Sequence, residues 1–417
     1  MKFIQTPFLA AYSLLLSGFS FAQQTDQIKY KLTEKSAIEI VTKFLTTNKI
    51  IDGHNDFYHS FYDCSTCKGE IRDFQLDSIN SGNSNIPLYK KGGVAGQLYN
   101  IYGKDRKVEN LLKAFDLMYL MAKTYPKEIT IAATATDLRN AIHKNKIAIL
   151  PILEGSVLLQ DSKSLLRMYY KLGLRSVTFA YKTNNLADGS DDTAKHHGIS
   201  SLGKDMIAEM NRLGIIIDMS HISADAMRGI LKTTKAPVIF SHSNAYSLCK
   251  VNRNVPDDVL LELKKNNGII MLNFIPFYVS QQHADWLNKA ESDWKIKVNE
   301  LRDTVAADKY YSDVWLKQNP EPKVSVIDIA NHFDYIKNLI GVSYIGIGSD
   351  LGDTYEFTIK GMTDVSCFPK LLVELTRRGW TETELKKIAS ENFLRVFQEV
   401  EKRATEIKTT ANIALAQ

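Results

Sequence analysis

Short runs of Ile, Val, Leu and Phe recur along the chain, each followed by a longer stretch with helical spacing. Eight runs stand out: Ile50–Phe57, Val94–Tyr102, Ile147–Glu154, Leu174–Tyr181, Ile215–His221, Val238–Ser243, Ile269–Phe274 and Tyr344–Asp350. Most are near-continuously apolar rather than alternating, the pattern of strands buried on both faces. The intervening segments carry helix signals. Pro256-Asp257-Asp258 puts Pro and acids into a first turn, and Gly268 follows as a stop. Ser325-x-x-Asp328 and Thr381-x-x-Glu384 have the spacing of capping boxes. Strands alternating with helices predict βα units on a parallel sheet. Eight such units predict an α/β fold of the closed (β/α)8, or TIM barrel, type. A doubly wound open sheet is the competing arrangement. It is weakened because no Gly-rich phosphate loop follows the first run.

One region breaks the rhythm. Residues 278–323 form a long polar insertion before the last strand, bearing Trp286, Trp294, Tyr310, Tyr311 and Trp315. Its two readings are a solvated helical excursion and a lid or contact surface. No repeat, low-complexity tract or Pro/Gly linker divides the rest. The expectation is therefore a leader at 1–22 and one barrel domain at 23–417, with the helical insertion at about 278–323.

The leader expectation rests on Lys2, the apolar run Phe8 to Phe21, and the small-residue site Ser20-Phe21-Ala22. The run is short for a membrane span, and no Cys near it suits a lipid anchor. Thr409 to Gln417 is too polar for a GPI tail. Export to the periplasm or outside the cell, with no stable membrane anchor, is expected. The net charge is +5, and loss of Lys2 with the leader lowers it by one. That balance makes no case for nucleic acid, which needs a concentrated basic face. A homodimer stays open as an assembly state.

Four Cys remain: Cys64, Cys67, Cys249 and Cys367. Cys64-Ser65-Thr66-Cys67 can be a local disulfide, a redox pair or half a zinc knuckle. Export favours the disulfide, and a knuckle lacks its second C-x-x-C.

Ionisable residues collect at the C-terminal ends of the predicted strands, the face on which barrel enzymes place their chemistry. The first strand ends in His54-Asn55-Asp56, the third in Glu154, the fifth in His221, the sixth in His242 and the eighth in Asp350. A single strand-end His is usually structural. Five strands converging on one rim are a different matter. Three His and several carboxylates, with no converging Cys, suit zinc or a similar borderline ion. His-x-Asp on one strand puts both side chains on one face, so His54 and Asp56 can share an ion. His221 and His242, from neighbouring strands, can hold a second. Glu154 lies between the pairs in strand order and can bridge them. Paired ions polarise a carbonyl and activate a shared water. Asp350 is left as the proton carrier.

These residues are embedded in longer motifs. They include Ile51-Asp52-Gly53-His54-Asn55-Asp56, Leu153-Glu154-Gly155, Asn211-Arg212-Leu213-Gly214 and Asp218-Met219-Ser220-His221. Ala236-Pro237-Val238-Ile239-Phe240-Ser241-His242-Ser243 and Arg253-Asn254-Val255-Pro256-Asp257-Asp258 follow. His332-Phe333-Asp334, Gly348-Ser349-Asp350 and Asn392-Phe393-Leu394-Arg395-Val396-Phe397 close the series. From about residue 38 to 400 the chain resembles the membrane (renal) dipeptidase family of zinc metallopeptidases, within the amidohydrolase-like barrels. The resemblance implies two Zn2+ per chain, with His54 and Asp56 on one ion, His221 and His242 on the other, and Glu154 bridging. It further implies cleavage of dipeptides by a hydroxide shared between the ions, and Asp350 in proton transfer. Arg253 is implied as the group that binds the substrate carboxylate, a role its bidentate fork suits. The bland alternative for Arg253 is a loop salt bridge with Asp257 or Asp258.

Two departures from the family pattern bear on substrate choice and rate. The fourth strand of the family ends in Thr-Leu-Thr-His, and that His contacts substrate. Here the stretch reads Thr178-Phe179-Ala180-Tyr181, so Tyr181 is expected at the catalytic and substrate-binding position. A phenol donates one hydrogen bond but accepts protons poorly at neutral pH. The family's Asp-Phe-Asp-Gly reads Asp350-Leu351-Gly352-Asp353. Two other functions would use the same ligands: a deacylase of N-acyl amino acids, and a metal-binding homologue with reduced catalysis.

Overall fold

A computed structural model describes residues 30–57, 76–77, 82–101, 107–352 and 359–416. The leader segment and the Cys64/Cys67 pair lie outside the described residues. The described strands, in chain order, are β1 (Ile50–Asn55), β2 (Val94–Asn100), β3 (Ile129–Ile131), β4 (Ile147–Leu153) and β5 (Ser176–Thr178). They continue with β6 (Ile216–Asp218), β7 (Ile239–Phe240), β8 (Ile269–Leu272) and β9 (Ile345–Ile347).

All pairings between them are parallel, and the order runs β2-β1-β9-β8-β7-β6-β5-β4. The ring closes where Gly96–Asn100 of β2 pairs with Ala148–Ile152 of β4. That pairing excludes an open sheet and makes the fold a (β/α)8 barrel. The remaining strand, β3, adds to the start of β4 through Ile129–Ile131. Each of the eight apolar runs contains one barrel strand.

The strands read as apolar throughout because both faces are covered. In β4, Ile147 and Ile149 join one buried cluster with the outer helices, while Ala148, Leu150 and Ile152 join another. Phe393, Leu394 and Phe397 of the C-terminal helix Asn392–Ala416 complete that second cluster. Both expected capping boxes are present, at Ser325/Asp328 and Thr381/Glu384. The helix Asp257–Asn266 begins after Pro256, but it ends on Asn267 in the left-handed region, one residue before Gly268. Asn is the non-glycine residue that tolerates this conformation best.

Residues of the insertion form the helices Gln281–Leu301 and Thr304–Tyr310, followed by a wide turn at Tyr311–Trp315. Trp286, Ala290, Tyr311 and Trp315 make a small core of their own. The indole of Trp315 donates to Asp293 at 2.8 Å and that of Trp286 to the Asn319 carbonyl at 2.9 Å.

Candidate metal centre

At the C-terminal rim of the barrel the strands lose their regular ladder, and the chain bends side chains into one cluster. His54 follows Asp52 and Gly53 on β1, and Asp56 lies just beyond the strand. Both are buried, with His54 Nε2 3.2 Å from Asp56 Oδ1. Glu154 sits one residue past β4, where Gly155 turns the chain with φ +87°. A Cβ on Gly155 would lie 3.0 Å from the Tyr181 Cβ, so this turn needs glycine. His221 and Asp350 adopt φ of +70° and +59°. Non-glycine residues held there mark a constrained site.

The five expected ligands come together. Glu154 Oε1 lies 2.8 Å from His221 Nε2, 3.1 Å from His242 Nε2 and 3.7 Å from His54 Nε2. The two Nε2 atoms of His221 and His242 are 2.9 Å apart. Ligand atoms of His54, Asp56 and Glu154 form one group within 4.8 Å, and those of Glu154, His221 and His242 another. Glu154 belongs to both. Asp350 joins the rim with Oδ1 3.9 Å from His54 Nε2, while its Oδ2 accepts from Asn273 at 2.7 Å.

This donor set fits a cation better than it fits protons alone. Ser241 Oγ donates to Asp218 Oδ2 at 2.6 Å and lies 2.7 Å from His242 Nδ1. With the Ser241 proton committed to Asp218, the His242 proton is assigned to Nδ1. The Nε2 lone pair then faces the Glu154 oxygen, acceptor against acceptor, in a buried site. A metal ion between them resolves that conflict. The electrostatics agree. Burial opposes charge on His54, but Glu154, Asp56 and Asp350 outweigh it and push the imidazole up to about 10. Burial, with the nearby Asp56 and Glu154 carboxylates, pushes Asp350 up to about 8 against the pull of His54 and Arg253. Burial holds His242 well below its ordinary range, with His54 and Arg253 adding to the effect.

Arg253 is buried beside this cluster. It donates to Ser243 Oγ at 2.6 Å and to the His242 carbonyl at 2.9 Å. Its Nε has no partner among the described residues. The loop salt bridge does not form: Asp258 pairs with Arg228 at 2.8 Å, and Asp257 accepts from the Tyr335 hydroxyl at 2.6 Å. Tyr181 is half-buried, with its ring 4.4 Å from that of His221. Burial and the Glu154 carboxylate push its phenol up, so it holds its proton.

Reading only ionisable residues missed the neutral ones. Asn100 ends β2 against Asp56 and Glu154, and Asn273 lies just beyond β8 against Asp350. Tyr278 stands 5.5 Å from the Arg253 guanidinium. The strand-end positions of Asn100 and Asn273 were the available signal, whereas Tyr278 sits on the short helix Pro276–Val279. Other motif residues are scaffold. His332 Nε2 meets the Val279 carbonyl at 2.9 Å, Asp334 accepts from the Trp380 indole at 2.7 Å, and Asn392 donates to the Ile345 carbonyl at 2.8 Å.

The sequence model of the membrane dipeptidases, peptidase family M19, matches residues 38–411. The chain belongs to the membrane dipeptidase family. It is thus a metallo-dipeptidase by family, a hydrolase of peptide bonds in a class that works with bound metal. The chain is 30% identical to Dipeptidase aclJ of Aspergillus oryzae over 423 residues, covering 96% of this chain and 90% of that protein. It is 32% identical to mouse (Mus musculus) Dipeptidase 3 over 363 residues, covering 84% of this chain and 64% of that one. The crystal structure of the probable dipeptidase PvdM from Pseudomonas aeruginosa shares the fold, at TM-score 0.77 and 23% identity. That match covers 88% of this chain and 99% of PvdM.

Proposed function

We propose that this membrane dipeptidase homologue hydrolyses dipeptides with two zinc ions. In this reading His54 and Asp56 hold one ion, His221 and His242 the other, and Glu154 spans both. The carrying observation is the convergence of these five side chains in two groups that share Glu154, each with its ligand atoms within 4.8 Å, beside a buried Arg253 that lacks a carboxylate partner among the described residues. When bound, the ions would supply Lewis acidity and a water activated at neutral pH.

The chain's own residues do the rest. Arg253 offers its free Nε–H and remaining N–H groups to the carboxylate that ends a dipeptide. A planar guanidinium meets a carboxylate in two parallel hydrogen bonds, which sets the register of the substrate. Asn273 occupies one oxygen of Asp350, leaving Oδ1 as the atom that takes a proton from the attacking water. The same oxygen returns it to the amine as the C–N bond breaks. Tyr181 keeps its phenolic proton and donates it in a hydrogen bond to the developing oxyanion.

Export rests on the Lys2, Phe8–Phe21 and Ala22 pattern of the leader. No helix among the described residues is long and apolar enough to cross a membrane.

The test combines metal content with substrate choice. Zinc-loaded protein should contain about two ions per chain, the number a two-metal clamp requires. It should cleave free dipeptides and spare N-acyl amino acids. A stoichiometry of one overturns the bridging role of Glu154. Faster turnover of N-acyl amino acids overturns the dipeptide assignment.

A further inference from the structure

Asn100 ends β2 and is fully buried. Its Nδ2 donates at 2.8 Å to Asp56 Oδ1 and at 3.0 Å to Glu154 Oε2. Its Oδ1 accepts the Glu154 backbone N–H at 3.2 Å. Reversing the amide would turn its carbonyl toward two carboxylates and its NH2 toward an N–H. Hydrogen-bond chemistry therefore fixes the orientation. The amide thus donates to both carboxylates at once.

The consequence lies in what each Glu154 oxygen faces. Oε1 is turned to His221 and His242, at 2.8 and 3.1 Å, and lies 3.7 Å from His54 Nε2. Oε2 is held by the same amide that holds Asp56. Two carboxylates side by side repel, and a carboxylate on a flexible stem can rotate both oxygens toward one ion. A neutral donor between them opposes both tendencies. A serine or alanine at this position cannot reach both acceptors.

We propose that Asn100 is a positioning residue that couples the two halves of the metal centre, by holding the Asp56 and Glu154 carboxylates in a fixed relation to each other. This rests on the two-ion reading above. Asn100 touches the ligands and acts through them. Its loss frees Asp56 and Glu154 Oε2 and bears mainly on the His54/Asp56 half, because the amide bonds to Asp56 but to neither His221 nor His242.

The experiment is a titration of metal-free protein with Zn2+ alone, against a competing chromophoric chelator, for the native chain, Asn100→Ala and Asn100→Ser. Thermal unfolding of each metal-free protein is recorded alongside. The native chain should take up zinc in two steps. In Asn100→Ala one step should weaken by roughly 10- to 100-fold, the usual effect of removing a group that orients a ligand, while the other holds. Asn100→Ser keeps one short donor in a smaller perturbation of the fold, and should shift the same step in the same direction. Two unchanged steps in both variants overturn the proposal. So does an equal loss in both steps, which is the mark of general loosening. A stoichiometry of one ion in the native chain instead overturns the two-ion reading, and the coupling falls with it.

Discussion

Ser241 Oγ lies 2.7 Å from His242 Nδ1, and its own proton goes to Asp218 Oδ2 at 2.6 Å. Asp218 is held in turn by the backbone N–H groups of Ser220 and Ser241 and by the Thr178 hydroxyl. The relay leaves His242 with a free lone pair on Nε2, the atom that faces Glu154. Ser241→Ala removes the group that fixes this tautomer. Zinc affinity should fall by roughly 10- to 100-fold with the fold intact. Competition with a chelator measures it. Undiminished affinity would show that the tautomer is set by some other contact.

Arg253 is the buried cation whose counter-ion is expected to arrive with substrate. If so, dipeptides should be cleaved far faster than their C-terminal amides. Arg253→Lys keeps the charge but replaces a planar fork with a point. The cost should be about 10- to 100-fold in kcat/KM, the range for losing hydrogen bonds to a charged group. Metal content should stay unchanged. Equal rates on acid and amide by the native enzyme would remove Arg253 from substrate binding.

Much of the barrel was legible because its strands are buried on both faces, so each appears as an unbroken apolar run. The runs overshoot the paired strands at their C-terminal ends. Glu154, His221 and Asp350 lie past the last ladder residue, where the backbone bends to aim side chains, and periodicity does not register that bend. The short β3 was missed because Thr130 interrupts its two isoleucines and only small Ala132 and Ala133 follow, so no longer apolar run marks it as one marks the equally short β5, β6 and β9. Charged ligands were legible by type. Asn100 was not, since a buried amide in sequence is indistinguishable from any polar residue. Its partners stand 44 and 54 residues away. Ser241 and Asp218 were hidden for the same reason.

Tyr181 stands with its ring 4.4 Å from that of His221. Tyr181→Phe keeps the ring and its packing and removes the hydroxyl alone. If that hydroxyl stabilises the oxyanion, turnover should drop on the order of 10²-fold, as for other single oxyanion donors. KM should move little, because the interaction forms only as charge develops. Zinc content serves as the control. Native-like turnover in this variant would mean that the ring merely walls the pocket. Because burial pushes the phenol up, Tyr181 should add no acidic limb to the pH–rate profile.

His332 ties two segments of the rim together. Its Nδ1 accepts the Ala245 N–H at 3.2 Å, and its Nε2–H donates to the Val279 carbonyl at 2.9 Å. The Ala245 bond needs the neutral ring, and burial pushes the imidazole down to about 4 against its ordinary 6.5, although the Val279 carbonyl favours the charged form. The unfolded chain therefore binds a proton that the folded one refuses between these two values. Stability is full above pH 6.5, falls as pH drops from 6.5 toward 4, and levels off below that. Across that window the single group costs roughly 3 kcal/mol, because a tenfold change in proton affinity is worth about 1.4 kcal/mol. His332→Gln can still donate toward Val279 but cannot titrate. It should be less stable than the native chain at about pH 7.5, where the native imidazole is neutral and satisfied. Between pH 6.5 and 4 it should lose less stability, by up to one proton's worth of slope. Urea unfolding of both proteins in metal-depleted form, across that range, isolates the contribution of His332, because the three rim histidines are common to both. Parallel pH dependences would mean that His332 is not the buried group that acid has to charge.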